Sequence, residues 1–250
     1  MHYLAYLWLA LFTAQAGAQE PPAPAEYSQQ QIKNWLIKAD TYRQPFKSGE
    51  LKTTLTLFKD NKQAESSSFF VQLNESGDSR VTMLDTRSKG QKVLLTESAM
   101  WLYIPRTRKA IRITPMQRLM GQASYGDVSS LSWQHEYQWD NSPVIEKLSN
   151  NTASVCFKVQ ATRKSATYRS INLCLEKDSL RPVNADFYLA SGKLMKQAVY
   201  LSSSNSSGLI DQTKFIQPGK NNQHTMMKNT DYLEKQHKQT IFTRQGFIKK

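Results

Sequence analysis

From Glu50 almost to the C-terminus, apolar residues recur at every second position, which predicts β-strands rather than helices. In the first run, Leu51, Leu55 and Leu57 share one face. Turn signals such as Gly77-Asp78 separate the runs. We predict strands near residues 64–73, 79–86, 91–97, 99–104, 109–113, 154–161, 168–176, 182–190, 193–201, 209–216, 222–228 and 232–242, with Trp133, His135, Tyr137 and Trp139 alternating in the same way.

One amphipathic helix precedes these strands. Ser28 has the side chain of an N-cap, and Gln31 follows at capping-box spacing. Pro45 and Gly49 end the helical pattern. The apolar stripe of the helix consists of Ile32, Trp35, Leu36, Ala39 and Tyr42.

A sheet of about eleven or twelve strands must curl, split or close, and a curled sheet has a concave face that the helix can cover. An incomplete cover leaves an apolar pocket, whereas a complete one makes a solid core. The sequence leaves both alternatives open. Residues 115–131 interrupt the alternation and are expected to form a short helix or a mobile loop; their apolar members are Met116, Leu119, Met120, Tyr125, Val128 and Leu131.

The first residues read as an export signal. Leu4 to Phe12 is too short an apolar run to span a bilayer, and Ala16-Gly17-Ala18 is a signal-peptidase pattern. We predict a signal peptide at residues 1–18, a disordered segment at 19–27 and one domain at 28–250. Without a Cys after the apolar run, lipidation is not expected, so the predicted location is the periplasm. An N-terminal membrane anchor is the alternative, because Lys and Arg are missing from the start.

The formal net charge is +13, and the predicted signal peptide contributes nothing to it. Such an excess of positive charge indicates an anionic partner, which in the periplasm means lipid headgroups or an acidic protein. Export argues against nucleic acid as that partner. Alternatively, the lysines only keep exposed strands from aggregating.

Cys156 and Cys174 lie on two predicted strands that flank a polar turn centred on Ser165. One hairpin register pairs Phe157 with Leu173 and places the two thiols opposite each other. Because cross-strand neighbours can meet disulfide distances in an oxidising compartment, we predict a disulfide. Two unpaired thiols are the alternative.

Catalytic signatures are missing from the sequence. The three histidines after the signal peptide (His135, His224 and His237) form no His-Glu-x-x-His motif, and the sequence has no Gly-x-Ser-x-Gly elbow. We therefore expect a binding protein rather than an enzyme, with no cofactor and no metal.

Three stretches resemble a known family. They are Trp35 to Glu50, the block Met100-Trp101-Leu102-Tyr103-Ile104-Pro105 with the arginines that follow it, and Leu175 to Val183. Together with Gly121, Tyr125-Gly126-Asp127 and Gly192-Lys193-Leu194, they are similar to the outer-membrane lipoprotein-sorting proteins, relatives of the periplasmic carrier LolA. Gln117 to Met120 departs from the stretch usual there, and the predicted disulfide is not expected in most members.

The resemblance implies a fold that is mainly β with helices. The expected architecture is a strongly curved, unclosed, half-barrel-like antiparallel sheet of about eleven strands, covered by the N-terminal helix and a lid segment. Its apolar cavity would shield lipoprotein acyl chains. The candidate cavity and lid residues are Trp35, Leu36, Leu55, Leu57, Trp101, Tyr103, Met116, Leu119, Met120 and Tyr125.

The expected partners follow from this assignment. They are an acylated lipoprotein or lipid, an inner-membrane transporter or other membrane protein, and an anionic membrane surface; the protein itself is expected to be a monomer. Arg106, Arg108 and Arg112 are candidates for contact with headgroups or a partner. The alternative function is a periplasmic regulatory or accessory scaffold that docks on an inner-membrane partner of the resistance-nodulation-division type.

Overall fold

The computed structural model describes residues 27–129, 132–149, 152–203 and 208–248. The predicted signal peptide and residues 19–26 lie outside these ranges. The helices are α1 (Gln29–Thr41), α2 (Tyr125–Ser129), α3 (Trp133–Glu136) and α4 (Arg244–Ile248). The strands are β1 (Gly49–Lys59), β2 (Lys62–Leu73), β3 (Ser79–Met83), β4 (Lys92–Leu95), β5 (Met100–Ile104), β6 (Lys109–Ile113), β7 (Arg118–Met120), β8 (Ala123–Ser124), β9 (Tyr137–Trp139), β10 (Ile145–Ser149), β11 (Thr152–Ala161), β12 (Ser170–Glu176), β13 (Pro182–Tyr188), β14 (Leu194–Leu201), β15 (Gln212–Ile216) and β16 (Gln223–Glu234).

Fourteen of these strands form one antiparallel sheet, and β7 pairs with β8 separately. The chain enters the sheet in the middle at β1, runs outward to the edge strand β6, and resumes at the opposite edge, where β9 and β10 both pair with β11. It then returns strand by strand until β16 pairs with β1. Because β6 has no pairing with β9 or β10 in the described chain, the sheet is an unclosed half-barrel, as predicted.

The inner face of this sheet carries the main core. Along β1, buried and half-buried residues alternate, and the buried side includes Leu51 and Leu55, as the sequence predicts. The helix α1 begins where expected, because the Ser28 side chain accepts a hydrogen bond from the Gln31 amide at 3.1 Å. Its residues Ile32 and Leu36 pack into the same core.

The predicted hairpin and disulfide are confirmed. Cys156 is paired directly with Cys174 across β11 and β12, and their sulfurs are bonded. Phe157 pairs with Leu173 in the same register and lies in the main core. The two sulfurs point away from that core, since successive residues of a strand face opposite sides.

Two strand predictions are wrong. Trp133 begins the short helix α3 instead of a strand, because Asp40 accepts hydrogen bonds from the Trp133 and Gln134 amides and thereby caps the helix. The two strands predicted at 222–228 and 232–242 are one strand, β16, which ends at Glu234. A register shift opposite Glu50 and Lys52 and the positive φ of Asp231 allow β16 to bend without a turn.

Residues 235–248, which we call the C-terminal segment, cover the outer face of the sheet. They contain a 3-10 turn (Gln239–Phe242) followed by α4. Phe242 and Phe247 are buried there in a second apolar cluster with Leu94 of β4. The sequence predicted a strand in part of this region and gave no indication of a second cluster.

Candidate functional site

A segment between β6 and β9, residues 114–136, crosses the inner face and is called the lid. It consists of the β7–β8 hairpin, α2 and α3, and the structure describes it apart from residues 130 and 131. Met120, Val128 and Trp133 of the lid are buried in the main core. Together with α1, the lid therefore covers the inner face of the sheet. Residues 115–131, where the alternation of apolar residues was predicted to break, belong to the lid.

The hairpin tip of the lid approaches the sheet very closely. Gly121 has a positive φ of 54°, and a Cβ there would lie 2.2 Å from the Thr225 Oγ1 and 2.9 Å from a methyl group of Leu57. The next residue, Gln122, donates its amide to the Thr225 Oγ1 at 2.9 Å. Only glycine fits this contact, since any side chain would force the tip away.

A buried ion pair ties the lid to the sheet. Lys196, on the inner face of β14, binds Asp127 of α2, and both side chains are at most 5% exposed. The Asp127 carboxylate also accepts hydrogen bonds from the Ser124 amide at 2.6 Å and the Tyr168 hydroxyl at 2.8 Å. Because the carboxylate has several donors, its charge is compensated out of water.

Aromatic rings surround the Lys196 ammonium. Its Nζ lies 4.0 Å from the ring centre of Phe215, 5.2 Å from that of Tyr168 and 5.7 Å from that of Phe187. Burial lowers the pKa of Lys196, and the Asp127 carboxylate opposes this shift. Burial and the same carboxylate raise the pKa of Tyr168 well above its usual value, so its hydroxyl keeps its proton and acts as a donor.

A second polar tie connects α1 to the lid. Asp40, at the end of α1, accepts hydrogen bonds from the Ser132 hydroxyl and from the amides of Trp133 and Gln134, at 2.9–3.0 Å. Arg43 pairs with Asp40 at 3.0 Å, and its guanidinium stacks 3.5 Å from the Trp133 ring. Asp40 thus contacts the lid through hydrogen bonds, and Arg43 contacts it through a cation–π interaction.

A cavity of about 40 Å³ lies under the lid, between these ties. The cavity is far below the 300–1,000 Å³ typical of ligand pockets, so the inner face is closed in this conformation. Its lining is mixed rather than purely apolar, which differs from the cavity that the resemblance implies. The lining residues are Arg43, Gly126, Asp127, Trp133, Glu136, Tyr137, Thr167, Tyr168, Ile171, Phe187, Tyr200, Thr213, Phe215 and Met227.

A larger cavity of about 300 Å³ opens between α1 and β9. Leu36 and Tyr137 are the buried members of its lining, and Trp139 is half-buried beside them. Around them lie the polar side chains of Gln29, Gln30, Lys33, Gln134, Gln138 and Thr162. Tyr137 also lines the small cavity under the lid, so this opening lies next to the closed interior.

Most predicted cavity residues lie under or in the lid. Leu36 and Leu55 are buried in the main core, and Leu57 lies against the hairpin tip. Met120 is buried in the lid, and Leu119 and Tyr125 pack partly against the core. Trp35 packs on α1 between Tyr27 and Phe157. Met116 is 40% exposed on the surface of the lid.

Trp101 and Tyr103 lie on the opposite face from the one expected. They pack in the outer cluster, where Tyr103 contacts Phe247 and the Arg244 guanidinium lies 4.4 Å from the Trp101 ring. Leu102 of the same strand points into the main core instead. These two aromatic residues therefore do not line the space under the lid.

The three predicted basic residues are all exposed along the edge hairpin of the sheet, at its turn and on its outer strand. Arg106 and Arg108 are exposed in the turn between β5 and β6, and Arg112 is exposed on the edge strand β6. Arg112 donates a hydrogen bond to the Ser98 carbonyl oxygen at 3.3 Å. The turn and edge form a basic surface, which we call the basic edge.

Sequence reasoning missed the buried pair and its partners. Lys196 precedes Ala198 and Tyr200 at alternate positions of β14, so its place on the inner face could have been read from the period-two pattern. Asp127 is separated from Lys196 by 69 positions, and no sequence signal links them. Asp40 gave no signal either, because its partners belong to a different part of the chain.

Within the described ranges, no three His, Cys, Asp or Glu side chains are grouped so that they could hold a metal ion. The helices in the same ranges include none that is long and apolar enough to cross a membrane.

Comparisons with known proteins give the family. A family model described as an uncharacterized protein matches residues 78–248, more than half of the chain. No curated protein matches the sequence. A LolA superfamily protein from Nitrosomonas europaea has the same fold, with a TM-score of 0.75 and 21% identity over 88% of this chain and 99% of that one.

A domain named as an outer-membrane lipoprotein-sorting protein, from Vibrio parahaemolyticus, is also similar. Its TM-score is 0.66, with 15% identity over 86% of this chain and 97% of that one. At these identities the structures show a shared fold. Since the family model matches more than half of the chain, the chain belongs to that family of uncharacterized proteins, and its fold is the one seen in the two solved structures.

Proposed function

We propose that this protein is a periplasmic carrier that binds the acyl chains of a lipoprotein or lipid on the inner face of its sheet, under the lid. One observation carries the proposal: an extensive apolar face is covered by a lid that is held to the sheet both by buried apolar side chains and by polar contacts. Such contacts can be exchanged for contacts with water or a ligand at small net cost.

The lid elements are also too short to be stable alone. The helices α2 and α3 have five and four residues, whereas isolated helices need roughly 12–15 residues to be even marginally stable in water. Their order therefore depends on docking to the inner face. A ligand that takes over this apolar face can displace the lid without breaking a rigid domain.

The energy available to a ligand is sufficient for this displacement. Each methylene group removed from water contributes roughly 0.8 kcal/mol, so a chain of a dozen carbons gains on the order of 10 kcal/mol before ordering costs. The closed cavity of about 40 Å³ cannot hold such a chain. A chain can therefore enter the space under the lid only if the lid moves, and return of the lid would release the ligand.

Native mass spectrometry of the protein purified from periplasm without detergent tests the proposal. We expect adducts with the mass of an acylated lipoprotein or a lipid, lost on delipidation and regained when lipid is added back. A bare protein that takes up no lipid after delipidation would rule the carrier function out.

The basic edge favours a second candidate function, an accessory scaffold that docks on an inner-membrane protein. Arg106, Arg108 and Arg112 are exposed beside the unpaired side of β6, where a partner could add contacts. A protein that carries no lipid but co-purifies with a membrane complex would support this role, whereas lipid adducts without such a complex would count against it.

A further inference from the structure

Opening the lid splits the partners of Asp127 into two groups. Asp127 and Ser124 belong to the lid and leave together, because the Ser124 amide and hydroxyl both bond to that carboxylate. The Lys196 ammonium and the Tyr168 hydroxyl stay with the sheet, on β14 and in the loop just before β12. In the closed state these two donors bind the two oxygens of the Asp127 carboxylate. Opening the lid therefore leaves both donors without that carboxylate.

An acyl ligand on the inner face cannot leave these donors in apolar surroundings at low cost. The Lys196 side chain is 2% exposed and lies among Phe187, Phe215 and Tyr168. A buried ammonium without a counter-ion is strongly unfavourable, whereas a paired one is tolerated. A neutral acyl chain would replace the lid's apolar contacts but not its carboxylate.

Building on the carrier function proposed above, we propose that Lys196 and Tyr168 form an anion subsite, which Asp127 occupies when the lid is closed and the acidic headgroup of the ligand occupies when it is open. The ligand class is an anionic amphiphile, a carboxylate or phosphate at the end of an acyl chain. Phe187, Phe215 and Met227, which line the cavity beside this subsite, would contact the first part of the chain.

Binding of twelve-carbon chains with different headgroups tests this inference on the delipidated full-length mature protein. The probes are dodecanoate, dodecyl phosphate, dodecanol and dodecyltrimethylammonium, measured by displacement of a fluorescent acyl probe. We expect the two anions to bind about tenfold or more tightly than dodecanol, from a charge-assisted hydrogen bond, and the cation to bind worst. The carboxylate and the phosphate arms identify which acid the subsite prefers.

Variants of the subsite residues test whether the tighter binding of anions depends on Lys196 and Asp127. Lys196→Met should abolish the advantage of the anions, and Asp127→Asn should strengthen anion binding several-fold because the internal competitor loses its charge. In case Lys196→Met folds poorly, Lys196→Met combined with Asp127→Asn removes both charges and should bind dodecanol as well as dodecanoate. Lys177→Met is the matched control, since Lys177 pairs with Glu146 on the exposed surface.

The outcomes separate the two proposals. Equal binding of dodecanol and dodecanoate by the unaltered protein would overturn the anion subsite and leave the carrier function standing. An anion preference that survives Lys196→Met, or that Lys177→Met removes, would also overturn it. Failure of every chain to bind would overturn the carrier function together with the subsite.

Discussion

The lid and the C-terminal segment cover opposite faces of the same sheet, and different interactions hold them there. The lid is tied by the Asp127–Lys196 pair, by Asp40 and by hydrogen bonds at its hairpin tip. The C-terminal segment is held by Phe242 and Phe247, both almost fully buried among apolar and aromatic side chains. Both covers also bury apolar side chains, but the lid adds a buried ion pair, whereas the C-terminal segment adds more exposed polar contacts such as Lys235 with Glu50.

On the carrier proposal, this difference separates a movable cover from a fixed one. When a segment leaves the sheet for water, its apolar contacts cost their full transfer energy, unless an apolar ligand takes their place. Hydrogen bonds and ion pairs can be remade with water or with a ligand. The carrier proposal therefore makes the inner face the accessible one, although the outer cluster contains Trp101 and Tyr103, the aromatic residues that the sequence suggested for the cavity.

The largest effect on stability is expected from Phe247→Ala. The Phe247 side chain is fully buried, and such truncations cost about 4 kcal/mol because a cavity is left behind. Urea unfolding followed by circular dichroism measures the loss. Phe58→Ala on the same sheet, where the ring is only half-buried against His224, should cost clearly less. An unchanged unfolding midpoint in Phe247→Ala would show that the C-terminal segment is not a fixed cover.

A somewhat smaller loss, about 3 kcal/mol, is expected from Lys196→Met, because the buried Asp127 carboxylate loses its counter-ion. Replacing both partners (Lys196→Met with Asp127→Asn) should restore most of this stability. Thermal or urea unfolding of the two variants measures both effects. If the double variant is no more stable than the single one, the pair is not the unit that holds the lid.

The contact between α2 and the loop before β12 offers a way to loosen the lid alone. A Cβ on Gly126 would lie 2.0 Å from the Thr167 Oγ1, so Gly126→Ala should push α2 away at a cost of about 1–2 kcal/mol. Hydrogen exchange should become faster in the lid and stay unchanged in the C-terminal segment. Adding Thr167→Ala removes the two nearest atoms in conflict, the hydroxyl oxygen and the methyl group, and should partly reverse the change. Equal acceleration in both segments would contradict the comparison.

The smallest stability effect is expected at the basic edge. Arg106→Ala with Arg112→Ala removes exposed side chains and should change stability by less than about 0.5 kcal/mol per site. Sedimentation with vesicles containing anionic lipid should nevertheless show weaker, less salt-sensitive binding, because salt screens only the charges that remain. Lys59→Ala with Lys62→Ala, the same charge removed from the exposed β1–β2 turn, serves as the control. Equal losses in both variants would mean that net charge, and not this edge, binds the membrane.

Local patterns predicted much of the fold because they depend on neighbours in the chain. The N-cap at Ser28 and the alternation of β1 need only a few consecutive residues. The pairing of Cys156 with Cys174 was also predictable, since a single hairpin fixes its register. The same reasoning misplaced β16, where a bulge at Asp231 continues the strand through the gap between the two predicted strands.

The alternation of residues along β5 could not by itself decide on which face of the sheet Trp101 and Tyr103 lie. It showed that the two share a face, but β5 has apolar cover on both faces, so only the position of the C-terminal segment settled which face is theirs.

The half-barrel fold, the positions of most strands, the helix and the disulfide were predictable from the sequence, because each follows from periodicity, turns or a recognisable block of residues. Only in the folded chain is it settled which residues attach each cover to the sheet. The partners Asp127 with Lys196 and Phe247 with Tyr103 are far apart in the chain. Their energies arise from burial, which exists only when the sheet has brought them together.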